Sequence, residues 1–174
     1  EGFNSLNNFG PILLHTYINT PVGILEIIGS STRVEKVFFS NSTTVSTKGL
    51  NQINTFPYPI LEQFHEYFSG CRRTFNLIIE PNGNLFQKKV WSTLQSIRYG
   101  DTVSYSEIAL KIGRPKAVRS VATAIGKNPL PIIIPCHRVI GKNGALRGYI
   151  GGLKIKQTLL HIEKTYAKIT KSFP

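Results

Sequence analysis

Methionine is absent from this chain of 174 residues, and cysteine occurs only twice, as Cys71 and Cys136. Two cysteines build no disulfide framework. They form no Cys-x-x-Cys pair, and the four histidines are scattered as His15, His65, His137 and His161. Structural zinc is therefore not expected, nor any other metal or cofactor. Long apolar runs are missing too, and no stretch reaches the roughly eighteen residues that a membrane span needs. No charged-then-apolar signal region opens the chain, so retention inside the cell is the expectation. Because even an initiator methionine is lacking, the native amino terminus is left open.

Negative charge is scarce, with nine Asp/Glu against 21 Lys/Arg, and it is unevenly shared. Residues 1–85 carry five Lys/Arg against six Asp/Glu, a net of −1, whereas residues 86–174 carry sixteen against three, a net of +13. Charge that served solubility alone would spread over both halves. A basic field confined to one half attracts a polyanion, nucleic acid first and an anionic membrane second. An apolar content of 41% is enough for the core of one domain or of two small ones.

The two halves also differ in pattern. In the first, Ile12–Ile18 and Ile24–Ile28 read as strands flanking the turn signal Asn19-Thr-Pro-Val-Gly23, and Val34–Phe39 is a third run of β-formers. Residues 41–54 are polar, rich in Ser and Thr, and read as a surface loop. Ile60, Leu61, Phe64, Tyr67 and Phe68 recur at helical spacing up to Gly70, Phe75–Ile79 reads as another strand, and Glu80–Asn84 as a turn-rich linker. The second half is helical: Phe86, Val90, Leu94 and Ile97 mark one amphipathic helix ending near Gly100, and the capping box Ser104-x-x-Glu107 starts the next. Gly113-Arg-Pro115 breaks it. Pro115 suits the first turn of a third helix with Val118, Val121, Ala122 and Ile125 inside, which makes a helix-turn-helix candidate, and a last helix starts near Leu153. The reading is an α+β fold divided into domains 1–85 and 86–174.

Chemistry points to Cys136-His137, at the end of the apolar run Pro131–Ile134. A thiolate is the reactive form of cysteine, and a neighbouring imidazole is a usual means of producing it. The competing reading is a small buried hydrophobe, the fate of most free cysteines. On the third helix, the face opposite the apolar stripe carries Arg119, Ser120 and Thr123. Small side chains let a helix approach a DNA groove closely, and a lone arginine can then reach phosphate, a base edge or the space left by an extruded base.

Phe86-Gln-x-x-Val90-Trp91, Gly100-x-Thr102-Val-Ser-Tyr105-x-x-Ile-Ala109, Arg114-Pro-Lys-Ala-Val-Arg119-x-Val, Asn128-Pro129 and Ile134-Pro-Cys-His-Arg-Val139 follow one another in that order. Gly148-Tyr149-x-Gly151-Gly152-Leu153, Lys156, Leu159-Leu160 and Glu163 continue the series. This pattern resembles the O6-alkylguanine-DNA alkyltransferases over nearly all of residues 86–165. The first half matches more weakly, through Thr20–Gly23 and Glu66–Phe75. The resemblance implies an RNase-H-like mixed sheet-and-helix domain followed by a mostly helical, winged-helix-like domain bearing the helix-turn-helix. It also implies a monomeric DNA repair protein that takes an alkyl group, typically methyl, from O6-alkylguanine in double-stranded DNA, once and irreversibly, with no membrane partner. It would work wherever the DNA is, in cytoplasm or nucleus.

The resemblance also assigns roles. Cys136 would be the acceptor, His137 would take its proton through a water, Glu163 would orient the imidazole, and Asn128 would hold the turn before the acceptor. Arg119 would replace the flipped base, with Ala117, Ser120, Thr123 and Tyr105 also at the DNA. Tyr105 would further donate to the guanine ring nitrogen N3. Ile125, Val139, Tyr149, Ile150 and Arg147 would form the base pocket. Ile150 and Arg147 stand where the family commonly has Ser and Gly, and Ala122-Thr123 replace a frequent Gly-Gly, which bears on substrate range rather than reaction type. Two alternatives stay open: a non-catalytic alkyltransferase-like protein that only binds alkylated DNA, and a thiol hydrolase using Cys136, His137 and Glu163.

Overall fold

The computed structural model describes residues 13–40 and 56–169. The loop expected over 41–54, and the start of the first expected strand, lie outside these residues.

Alternation of apolar and polar side chains builds the sheet. Strand β1 (Leu14–Thr20) buries Leu14, Thr16 and Ile18, turns at Gly23, whose φ of 99° favours glycine, and pairs antiparallel with β2 (Gly23–Gly29). Strand β3 (Arg33–Phe39) pairs antiparallel with β2, and the two-residue β4 (Ile78–Ile79) lies parallel to β3, giving a mixed sheet in the order β1-β2-β3-β4. Helix α1 (Tyr58–Phe68) buries Ile60, Phe64 and Tyr67 in the same core as the sheet's Leu25, Ile27 and Val37. Removing one such ring costs about 3–5 kcal/mol.

The strand expected over 75–79 is shorter than the sequence suggests. Gln63 explains this: its side chain accepts from Asn76 N–H at 2.7 Å and donates to Asn76 O at 3.1 Å, so that backbone pairs with a helix side chain instead of a strand. Phe75 turns its ring onto Phe64 and Tyr67, with centroids 5.1 and 5.4 Å away.

The second half is mostly helical. Asn84, expected in a linker, instead caps α2 (Leu85–Gln95) in a capping box with Gln87. Trp91 of α2 donates from Nε1 to Ala124 O at 2.8 Å and so fixes α2 to α4 (Val118–Gly126). Helix α3 (Tyr105–Lys111) starts at the expected Ser104–Glu107 capping box. Pro115 lies before α4 rather than in its first turn: Ala117 N–H reaches Arg114 O at 2.9 Å and closes a separate turn there. Strand β5 (Val103–Ser104) pairs parallel with β6 (Val139–Ile140), and α5 (Leu153–Ile169) closes the chain. Among the described residues, no helix is long and apolar enough to cross a membrane.

The halves share a core and are stitched at named points. Val37 N–H of β3 donates to Pro129 O at 3.0 Å, and Phe39 sets its ring 5.7 Å from that of Tyr149. Gly70 has φ 78°, and a Cβ there would run into the ring of Tyr166 on α5. Gly100, at φ 81°, sits so close to α5 that a Cβ would lie 2.8 Å from Ala167 Cβ. Glycine at both positions lets α5 dock, which places its inner face against the segment Cys136–Arg138.

Candidate active site and DNA-facing cleft

The stretch Asn128–Val139 is shaped by proline and one amide side chain. Pro135 has no N–H to offer a ladder. Arg138 N–H instead reaches back to Pro135 O at 3.1 Å, so Cys136–Arg138 forms a single 3-10 turn. Asn128 is buried and uses its whole side chain: Oδ1 accepts from Leu130 N–H at 3.0 Å, and Nδ2 donates to Ile134 O at 2.8 Å and to Cys136 Sγ at 3.1 Å. Ile132, inside this loop, has φ 76°, an outlier for a β-branched residue that the surrounding packing must hold in place.

Cys136 is 3% exposed, and burial pushes its thiol up to about 11, although the Asn128 amide and the Lys156 charge pull the other way. The resting sulfur therefore keeps its proton at neutral pH, and a base must remove it. His137 is fully buried. Its Nε2 lies 2.8 Å from Glu163 Oε1, while Nδ1 has no hydrogen-bond partner among the described residues. Burial lowers the imidazole's pKa, with Glu163 opposing, so the ring is neutral at pH 7. With its Nε2 hydrogen on the carboxylate, the free Nδ1 is the basic lone pair.

Glu163 is also fully buried. Burial alone would raise its pKa, but donation from His137 and Arg138 reverses this and holds the carboxyl well below the usual range. Arg138 donates from Nε to Oε2 and from Nη2 to Oε1, both at 2.8 Å, and Gly100 N–H adds a contact at 3.1 Å. Tyr67 of α1 donates its hydroxyl to Oε1 at 2.7 Å. Cys136, His137 and Glu163 thus present a buried thiol, a neutral imidazole and a charged carboxylate.

Beside the sulfur stand Lys156, Tyr105 and Tyr149. Lys156 Nζ donates to Val139 O at 2.6 Å and to Arg147 O at 2.8 Å, and burial lowers its pKa to about 8. Tyr105 is raised by burial and by the nearby Cys136, and Tyr149 well raised by the same causes, so both keep their hydroxyl protons as donors. Above them opens a cleft of about 990 Å³, lined by Tyr105, Arg119, Ile125, Arg147, Tyr149 and Ile150 among others. Arg119, Ser120 and Thr123 are exposed on α4, Ala117 is half-buried at its start, and Thr123 returns its hydroxyl to Arg119 O at 3.1 Å. Of the residues expected in the pocket, Val139 is wholly buried and does not line the cleft.

Of the residues singled out in the sequence, the structure sets Asn128 and Tyr105 beside Cys136, and Glu163 beside His137. Sequence reasoning missed Tyr67 and Arg138 as partners of Glu163 and the burial of Lys156. No local pattern marks those three, since their partners lie 96, 25 and 17 residues away along the chain.

Comparison with known proteins agrees with this geometry. Residues 85–165 match the family model of the 6-O-methylguanine DNA methyltransferase DNA binding domain, and residues 13–81 that of its ribonuclease-like domain. A constitutive methylated-DNA–protein-cysteine methyltransferase of Bacillus subtilis is 44% identical over 86% of this chain and 94% of its own length. One from Haemophilus influenzae is 38% identical over 87% of each chain. The crystal structure of the Mycobacterium tuberculosis O6-methylguanine methyltransferase superposes with a TM-score of 0.79 at 36% identity, covering 89% of this chain and 94% of that one. The same organism's protein in complex with DNA gives 0.77 at 37% identity, over 87% and 93%.

Proposed function

This chain belongs to the 6-O-methylguanine DNA methyltransferase family, and from that premise we propose that it repairs O6-alkylguanine in double-stranded DNA by moving the alkyl group to its own Cys136. It acts as a monomer, beside the DNA in cytoplasm or nucleus, with residues 86–174 as the DNA-binding and transfer domain and 1–85 as its partner domain. The observation that carries this reading is a buried thiol next to a neutral imidazole with one free nitrogen, beneath a cleft rimmed by Arg119.

The chemistry is an in-line displacement. His137 Nδ1 accepts the thiol proton through a water, the sulfur attacks the alkyl carbon, and the carbon–O6 bond breaks with its electron pair going to guanine. The new thioether has no good leaving group, so the protein reacts once. Guanine gains negative charge as it departs. Tyr105, which keeps its hydroxyl proton, donates to ring nitrogen N3, and the backbone N–H of Ile150 faces O6. Both contacts strengthen in the transition state. The amine of the base is accepted by the carbonyls of Cys136 and Val139, while Ile125 and Tyr149 supply apolar walls. Asn128 donates to the thiolate as it forms.

Inside a duplex the alkyl carbon is hidden, so the base must be turned out. Arg119 enters the vacated stack, Tyr105 crowds the adjacent phosphate, and Ala117, Ser120 and Thr123 allow α4 a close approach. Exposed Ile150 and Arg147 narrow the rim and set which alkyl groups enter.

Incubation with increasing O6-methylguanine duplex tests the reading. The methyl transferred should stop at one equivalent per protein. Repeated turnover would favour the thiol hydrolase, and binding without transfer the alkyltransferase-like protein.

A further inference from the structure

The first domain is more than a neighbour of the reactive site, because one of its side chains enters it. Glu163 is contacted by His137, Arg138, Gly100 and Tyr67, and of these only Tyr67 comes from before residue 86. Its hydroxyl donates to Glu163 Oε1 at 2.7 Å and stands 3.4 Å from His137 Nε2, wedged between the two groups of the couple. The ring has no freedom to swing away. It is fully buried, with Phe68, Phe75 and Tyr99 at centroid distances of 5.1, 5.4 and 5.8 Å.

Resting on the function proposed above, we infer that Tyr67 is a positioning residue for alkyl transfer, through which the first domain sets how strongly Glu163 holds His137. Oε1 is the oxygen that faces His137 Nε2, and a neutral donor on it spreads its charge. The pull on the imidazole N–H is moderated, the ring stays neutral, and Nδ1 keeps its lone pair for the thiol proton. The other groups facing the imidazole are Arg138 on its own turn and Lys156 on α5, both cationic and both disfavouring the imidazolium, with Tyr149 edge-on at 6.5 Å. Tyr99 adds a neutral ring near Glu163 and a cation–π contact to Arg138. Tyr67 is thus the one neutral hydroxyl hydrogen-bonded to the carboxylate among the described residues.

The test is the pH dependence of single-turnover methyl transfer from saturating O6-methylguanine duplex, with DNA affinity and melting curves measured alongside. Tyr67→Phe keeps the ring and removes the donor. Glu163 then pulls harder, and the imidazolium is stabilised. The midpoint of the acid limb should move up by roughly one pH unit, and the rate at pH 7 should fall by up to about threefold and recover as pH rises. The half-saturating DNA concentration should not change. Phe64→Leu, on the same helix but with no polar atom to offer Glu163, should lower the melting temperature and leave the midpoint in place. A 3-fluorotyrosine at position 67, a stronger donor on the same ring, should move the midpoint down, and it serves if Tyr67→Phe fails to fold. Equal midpoints for parent, Tyr67→Phe and the fluorinated protein would overturn the inference while leaving the function standing. No transfer by the parent would remove both.

Discussion

Asn128→Ala is the sharpest perturbation of the loop that presents the thiol. The substitution removes three hydrogen bonds: it orphans the buried Leu130 N–H and leaves Ile134 C=O with Cys136 N–H alone. The orphaned N–H costs about 1–3 kcal/mol and the lost bond to the carbonyl about 1 kcal/mol, so the protein should lose about 3 kcal/mol. At about 2–4 °C per kcal/mol for a chain of this size, the melting temperature should fall by roughly 6–12 °C. Transfer suffers separately, since the sulfur loses the donor that offsets burial, and its pKa should rise beyond about 11. A hydrogen bond to a charged group is worth about 1.5–3 kcal/mol, which predicts a transfer rate at neutral pH lower by roughly ten- to hundredfold. Asn128→Asp separates the two effects. It keeps an acceptor for Leu130 N–H but sets a negative charge against the sulfur, so it should be the more stable of the two variants and the slower in transfer. Melting by circular dichroism and single-turnover kinetics read both quantities. A loss of less than about 2 °C with an unchanged rate for Asn128→Ala would refute the reasoning and show that the loop holds its shape unaided.

Other consequences follow from the same geometry. The Glu163 carboxyl is depressed in the folded state, so its stabilisation is present above the ordinary value of 4.5 and lost as pH falls below it toward the folded value. Glu163→Gln should flatten the acid-unfolding curve between neutral pH and about pH 3 while costing about 3–5 kcal/mol at neutral pH, because Arg138 is left buried without its anion. Arg119→Ala should slow transfer from duplex DNA strongly, since extrusion costs a few kcal/mol, but react almost normally with free O6-benzylguanine if the cleft admits it; Tyr105→Phe should impair both substrates. Affinity of the whole chain for duplex DNA should fall linearly in log K against log salt, and a flat line would contradict phosphate binding by the basic half.

The parts of the structure that were legible are those written locally. The β1–β2 hairpin, the Ser104 cap and the helices α1 and α5 each follow from a periodicity or a turn signal lying within their own residues. Cys136 and His137 were legible because they are adjacent, and Glu163 because the family pattern extends to it. Where a distant side chain decides, local reading failed: Gln63 takes the backbone of Asn76 away from the sheet, and Pro115 stops short of α4 because Arg114 O closes a turn first. The Asn84 cap was readable, since Asn84-x-x-Gln87 ahead of an apolar run is a start signal, but the neighbouring Pro81 and Gly83 favoured a linker. Tyr67 could not be found that way. Nothing in the sequence of α1 distinguishes a core ring from one whose hydroxyl reaches a carboxylate 96 residues on.

The central claim is that Cys136, and not the exposed Cys71, is the acceptor. Peptide mass mapping after reaction with O6-methylguanine duplex tests it most directly. One methyl group per protein should appear on the peptide containing Cys136, none on that containing Cys71, and none anywhere in Cys136→Ser, which should still bind the duplex. A methyl on Cys71, or full transfer by Cys136→Ser, would contradict the account.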